Sequence, residues 1–475
     1  MTINDLPDEI LLAIFGFCVA YSPPPPPYEE DTWHTLVHVC RRWRFVVFGS
    51  PRHLNLRLLC MNGRLLKTLD IWPQLPIVIH VDDRETGLPR PSVTNVISML
   101  KQNDRVCKIV IDNVPSPLLF KAMAKPFPAL IELTLTQMSH MEEPPTFPDS
   151  FLGGSAPRLQ SLRLYGFPLP GKGKLLLSTR DLVDLSLGFI PYSGYVSPES
   201  MVDILSALTK LKSFQLSFQI PEYWTHEVSQ RPPTLTRVIL PALTHFDYYG
   251  LTGYLGGIMS RIDAHLDCFT IAVTPCDQDQ LVFDIPLLRD FIWRTKLLNA
   301  HAPHRADIFF TDYDSRISLF QRKGSVDFKV LNFIIPCFDS QLSALAQACS
   351  SLLLPLPSLE YLDIYKAESG RWSIPWQNVV ESAQWMELLR PFITVKDLVL
   401  ADPVVLSVAL ALEELVGEQG TEILPLLQTI YLEGFQPSST VPEGITKFIA
   451  ARELCGRSVI VRHQERKSRE YSWRG

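Results

Sequence analysis

The stretch Gly166-Phe-Pro-Leu-Pro-Gly171-Lys172 has the spacing of a phosphate-binding loop, Gly-x-x-x-x-Gly-Lys. Such a loop needs backbone N–H donors and a Ser or Thr hydroxyl for Mg²⁺ directly after the lysine. Here Pro168 and Pro170 remove two donors and Gly173 stands where the hydroxyl belongs, so a turn with a solvated lysine is expected instead. His34 and His38 are four positions apart, and His301 and His304 lie close to Asp307, spacings that could pair metal ligands. Neither set has a convincing third ligand nearby, and no metal or other cofactor is expected. Gly-x-Ser-x-Gly, His-Glu-x-x-His and Cys-x-x-Cys are all missing from the sequence. The residues commit the chain to no catalytic chemistry, and it is expected not to be an enzyme.

The chemistry the sequence does carry is that of packing faces. Leu6-Pro7-Asp8-Glu9 places proline at a helix's first position and acids in its first turn, where free N–H groups and the macrodipole favour them. Ile10, Leu11, Ile14, Phe15 and Cys18 follow as an apolar stripe. The run Ser22-Pro-Pro-Pro-Pro-Pro27-Tyr-Glu-Glu-Asp31 ends that helix and reads as a loop spacer. A second helix is expected to carry Leu36, Val39, Cys40, Trp43, Val46 and Val47 on one face, with Arg41, Arg42 and Arg44 off it. Ser50-Pro51 then turns the chain into a strand through Leu54, Leu56 and Leu58. Helices this short bury too little apolar surface to stand alone and must pack on something else.

Composition narrows the partners. The chain has 475 residues, with 44 Lys and Arg against 50 Asp and Glu, a net charge of −6 that argues against a general binder of nucleic acid or anionic membranes. With 46% hydrophobic and 20% charged residues it is globular in character, and 39 Pro against 23 Gly indicates many short elements. Residues 1–9 carry acid where a secretory leader needs a basic region, and the uncharged stretch 340–359 is interrupted by Pro355 and Pro357. Nine cysteines, an odd number in mostly apolar surroundings, read as reduced thiols. A cytoplasmic or nuclear location is expected.

From residue 106 onward the pattern apolar-x-x-apolar-x-apolar recurs about twelve times, beginning with Val106/Ile109/Ile111. Clear copies are Leu130/Leu133/Leu135, Leu159/Leu162/Leu164, Leu182/Leu185/Leu187, Leu211/Phe214/Leu216 and Leu243/Phe246/Tyr248. It continues through Leu266/Phe269/Ile271, Leu288/Phe291/Trp293, Phe328/Leu331/Phe333, Leu359/Leu362/Ile364, Val395/Leu398/Leu400 and Leu427/Ile430/Leu432. The last three residues of each copy alternate as a strand does, and stretches such as 201–208 and 342–349 between copies have helical spacing. A strand, turn and helix repeated in this way must stack on its neighbours, giving a solenoid with a parallel sheet. Residues 306–310 and 316–321 look like extra strands in a degenerate repeat.

Leu6-Pro-Asp-Glu-Ile-Leu-Leu-Ala-Ile-Phe15 and Leu36-Val-His-Val-Cys-Arg-Arg-Trp-Arg44, closed by Ser50-Pro51, resemble the F-box. The later pattern resembles the leucine-rich repeat, although the Asn or Cys usual after its strand is mostly replaced by glycine and aromatic residues. The combination resembles the expanded F-box families of mushroom-forming fungi. It implies an α/β chain arranged as an F-box at 1–60 with the proline-rich insert at 22–31, a connecting segment at 61–105, a solenoid at 106–456, and a capping strand with a basic tail at 457–475. It also implies a substrate-recognition subunit of a Skp-cullin-F-box ubiquitin ligase, with a Skp-type adaptor and a protein substrate as partners. By motif position Leu6, Pro7, Ile10, Leu11, Ile14 and Trp43 would face the adaptor. Substrate would meet the exposed strand face, where the acids Glu132, Asp184, Asp247, Asp290 and Asp363 recur with Arg163 and His245 as counterweights. Asp184, Asp247, Asp290 and Asp363 are the candidates there, and a basic partner surface follows from them. The alternatives are a repeat scaffold that binds no adaptor and an enzyme in a degenerate α/β fold.

Overall fold

Proline at position 7 has no N–H to leave unsatisfied, and its carbonyl accepts from the N–H groups of Ile10 and Leu11, both at 3.1 Å. The helix so started, α1, runs Asp8–Tyr21 with Asp8 and Glu9 in its first turn. The computed structural model describes residues 3, 6–21, 33–60, 74–81, 93–113, 117–137, 146–219, 237–274, 285–300, 302–311, 314–336, 341–352, 356–366, 382–415, 422–435 and 440–465. The insert at 22–31, His301 and the tail beyond 465 lie outside them. The second apolar block forms two helices rather than the single one expected, α2 (Trp33–Val39) and α3 (Arg41–Gly49). The break is at Cys40, which adopts an extended conformation (φ −156°, ψ 171°) while its Sγ accepts from the Trp43 N–H at 3.4 Å. Cys40 therefore acts as the N-cap of α3.

The chain divides into two units, Met1–Val196 and Ser197–Gly475. In the first, the three helices are followed by six strands: β1 (Leu58–Cys60), β2 (Ile77–Val81), β3 (Val106–Ile111), β4 (Glu132–Thr136), β5 (Ser161–Tyr165) and β6 (Asp184–Ile190). They pair in sequence order and all in parallel. The helices α4 (Val93–Leu100), α5 (Pro117–Ala122) and α6 (Lys174–Ser178) fall between them. The sheet thus begins ahead of the repeat pattern, because β1 and β2 supply two strands before residue 106. Within each strand the apolar positions are sealed, Leu133, Leu162 and Leu185 all at 0% exposure. Their neighbours Thr134 and Arg163 remain open or half-open on the other face.

The second unit opens with α7 (Pro198–Ala207), whose N-cap Ser197 accepts from the Ser200 N–H at 3.3 Å. Its elements continue as β7 (Ser213–Phe218), β8 (Val238–Leu240), β9 (His245–Leu251), α8 (Thr252–Met259), β10 (Ile262–Ala264), β11 (Cys268–Thr274), α9 (Ile285–Arg294) and α10 (Leu297–Ala300). They are followed by β12 (Arg305–Phe310), β13 (Asp314–Lys323), β14 (Val326–Pro336), α11 (Gln341–Leu352), β15 (Tyr361–Lys366), α12 (Ser382–Leu389), β16 (Asp397–Ala401), α13 (Val404–Glu413), β17 (Thr429–Glu433), α14 (Glu443–Leu454) and β18 (Ile460–Gln464). The sheet runs β7-β9-β11-β14-β13-β12-β15-β16-β17-β18, and only β13 is antiparallel to its neighbours. β8 and β10 form a separate parallel pair. The two extra strands expected near 306–321 are β12 and β13; they leave the order of the parallel strands reversed locally, with β14 beside β11 and β12 beside β15.

One expected strand is a helix. Leu288, Phe291 and Trp293 sit in α9, because the spacing that suits an inward strand also places Leu288, Phe291 and Ile292 on one helical face. Those three are buried while Trp293 is 56% exposed.

At the entry to the strands the backbone itself links successive copies. The N–H of Gln160 donates to the Ile131 carbonyl and that of Val183 to the Gln160 carbonyl, each at 2.8 Å. In the second unit the N–H of Glu360 donates to His304, that of Lys396 to Glu360 and that of Gln428 to Lys396, at 2.8–2.9 Å. Arginines satisfy further turn carbonyls: Arg105 donates to Leu75, Arg294 to Met259 and Ile262, and Arg452 to Leu424 and Pro425. Aromatic residues at inward positions stack along the sheet, Phe214 on Phe246 at 5.4 Å and Phe246 on Phe269 at 5.3 Å between ring centroids.

Candidate functional site

The N-terminal helices present two kinds of apolar residue. Leu11 and Phe15 are fully buried, as are Val37 and Val47, and the Phe15 and Trp43 rings lie 4.7 Å apart. Leu11, expected on the adaptor-facing surface, is instead part of this small core, since α1 turns its 11 and 15 positions toward α2 and α3. The outward side carries Ile10 at 48% exposure and Phe17 at 63%, one and then two helical turns along, with half-buried Ile14 between them. Pro7 is exposed, and Leu6 and Trp43 are half-buried. Val39 and Phe45, at 59% and 75%, add exposed apolar surface on the second block. Phe17 could have been found from its spacing to Ile10; Phe45 lies off the predicted stripe.

Polar contacts fasten the two blocks. The Arg42 guanidinium lies 2.7 Å from the Asp8 carboxylate and also donates to the Leu6 carbonyl. Arg44 donates to the Val37 carbonyl at 3.0 Å, and the Trp33 indole N–H to the Arg57 carbonyl at 3.1 Å. His34 and His38 lie on α2, and among the described residues no group of three His, Cys, Asp or Glu side chains could hold a metal ion.

The polar strand face is less acidic than its sequence suggests. In the first unit Asp184 is 2.7 Å from Arg163 and accepts from Ser161 at 3.1 Å, while Glu132 is 2.8 Å from Lys108. In the second, Gln215, Asp247, Thr270, Asn332, Ser318, Asp307 and Asp363 occupy one register line across seven strands. Most of this line is buried: Asp363 is at 0% exposure, Asn332 at 6% and Asp307 at 7%. Arg305 lies 2.6 Å from Asp307 and 3.4 Å from Asp363, and its guanidinium sits over the rings of Phe320 and Tyr361. Burial works against the Arg305 charge, but the two carboxylates outweigh it and raise its pKa. Burial also raises the Asp247 pKa, against a hydrogen bond from Thr270 and the nearby His245 and Lys329. Asp290 is not on this face at all; it lies on α9, bonded to Arg294 at 2.7 Å. Asp363 is on the face but sealed. The expectation that these side chains all point to solvent is corrected: Asp363 is sealed beside Arg305, and Asp184 and Glu132 are paired with Arg163 and Lys108.

A family model described as F-box-like matches residues 3–52. Residues 3–52 form an F-box-like domain. No curated protein matches the chain. The F-box-like domain comprises α1, α2 and α3, so the exposed Ile10, Phe17, Val39 and Phe45 all belong to it. Among the described residues no helix is long and apolar enough to cross a membrane.

Proposed function

We infer that the chain is a substrate receptor of a Skp-cullin-F-box ubiquitin ligase, with the F-box-like domain docking a Skp-type adaptor and the strand-and-helix repeats, read as an irregular leucine-rich solenoid, holding a protein substrate. The observation that carries this reading is the outward apolar row Ile10, Ile14 and Phe17 on a helix whose opposite side is already packed. Exposed aromatic and aliphatic residues concentrated on one small domain mark a protein interface. The reading leaves the chain without chemistry of its own, acting instead by bringing two proteins together. Co-purification of a Skp-type adaptor with the full chain tests it. The wild-type chain is expected to carry the adaptor, and Leu6→Ala with Pro7→Ala to lose most of it while the repeats stay folded. A folded variant that retained the adaptor would remove the assignment.

A further inference from the structure

The first apolar position of the repeat is buried in nearly every copy: Leu130, Leu159, Leu182 and Leu243 are at 0% exposure, and Leu266, Leu359 and Leu427 at 2%. Phe328 occupies that position in its copy and is 50% exposed. The reason is the hairpin of β13 and β14. Its pairs Gln321↔Phe328, Arg322↔Asp327 and Lys323↔Val326 lie beyond Arg305↔Phe320 and Phe269↔Leu331, the last pairings to the flanking strands β12 and β11. Three residue pairs at ~3.4 Å rise extend the ribbon roughly 10 Å past the sheet. A register shift between Leu319 and Phe320 sits at its root, the kind of bulge that bends a ribbon and re-aims its side chains. Gly324, at φ 66°, closes the tip in a conformation that favours glycine.

What this tip displays is specific. Val326 is 53% exposed beside Phe328, on the same side of the ribbon as exposed Lys323, while Arg322 and Lys329 are exposed on the other side. The single acid, Asp327, is shared by Arg322, Arg305 and His304 at 3.5–3.7 Å. The tip is tied back to β12 through Asp327, whereas Val326 and Phe328 stay half exposed and add little to the fold there, and their exposure makes the tip a contact surface. We propose that residues 321–328, with Lys329, are a docking prong for a partner protein whose surface is acidic around an apolar recess. Three cations are too few for a phosphate-dominated interface on a chain of net charge −6, and the apolar pair adds what a protein recess takes up. The prong belongs to the second unit and the F-box-like domain to the first.

A direct test titrates the full chain against a fluorescein-labelled dodecapeptide of glutamate and leucine, with a lysine-leucine peptide, a DNA duplex and anionic phosphatidylserine vesicles as parallel probes. The acidic peptide is expected to bind, to weaken about tenfold with Arg322→Glu plus Lys323→Glu, and to weaken similarly with Phe328→Ser. These positions lie outside the packed sheet, and unchanged circular dichroism and thermal midpoints serve as the folding check. Failure of the acidic peptide to bind, equal binding of the lysine peptide, binding that ignores both variants, or stronger hairpin-dependent binding of DNA or vesicles would each overturn the proposal. The F-box reading would survive any of these results, because adaptor binding is measured separately.

Discussion

The Arg305 guanidinium lies 3.4 Å from the carboxylate of Asp363, fifty-eight positions later in the chain and completely buried. It also holds Asp307 at 2.6 Å, so one cation serves two carboxylates on adjacent strands. Removing it would take a counter-charge from two acids in a largely dry setting. Arg305→Met is expected to lower the unfolding free energy by about 2 kcal/mol, below the usual cost of breaking a buried pair because a quarter of Arg305 is exposed. Adding Asp363→Leu should recover part of the loss. Urea denaturation measures both; a single variant as stable as wild type would show that the pairing contributes nothing.

Asp247 gives a pH dependence. Burial raises its pKa in the folded state, so the fold takes up a proton there more readily than the unfolded chain does. For this group stability is lower above the folded value and rises as pH falls through it toward the ordinary carboxylate range. Asp247→Asn is therefore expected to be more stable than wild type at neutral pH, with the gap narrowing on acidification. Thermal midpoints of the two proteins between pH 7 and pH 4 would show the convergence, and a gap independent of pH would count against it.

The thiols divide by environment. Burial pushes Cys60 and Cys268 up to about 11 and Cys349 higher still, whereas Cys18 and Cys455 are exposed. Thiolate is the reactive form, so iodoacetamide at neutral pH is expected to modify Cys18 and Cys455 well before Cys60 or Cys349. Peptide mapping after brief labelling would reveal the order, and early modification of Cys349 would contradict the packing around it.

Arg452 is fully buried and donates to the carbonyls of Leu424 and Pro425 at 3.2 Å, tying α14 to the turn before β17. Leu424 there has φ 51°, a conformation this arginine helps to hold. Arg452→Met keeps much of the volume but removes one of two donors from each of these carbonyls, which keep the Leu427 N–H and Arg457 respectively, and a loss of about 1 kcal/mol is expected. Arg452→Lys should rescue little, since one ammonium cannot reproduce the planar fork. Chemical denaturation of the two variants side by side checks this; full rescue by lysine would mean the fork geometry is irrelevant.

Much of the strand ladder was legible because each copy repeats one local demand, an apolar residue three before an alternating pair, and Leu162 or Leu398 answers it without reference to distant residues. The same spacing misled at Leu288 and Phe291, where positions three apart serve a helix as well as a strand. Leu11 was misplaced because a short helix packed on one side and open on the other carries apolar residues on both. The sealing of Asp363 could not be read, since its cation, Arg305, comes from a strand that meets β15 only through the reversed β12-β13-β14 order. Phe45 and the protruding hairpin were likewise hidden, as exposure depends on what the rest of the fold leaves uncovered.

The adaptor reading puts a Skp-type partner on the outward face of the F-box-like domain. Calorimetric titration of a purified adaptor into the full chain, wild type against Ile10→Asp with Phe45→Asp, tests it most directly. Both residues are exposed, so the double variant should fold normally; adaptor binding by wild type is expected, with at least about a tenfold loss in the variant. No binding by wild type, or undiminished binding by a folded variant, would contradict it.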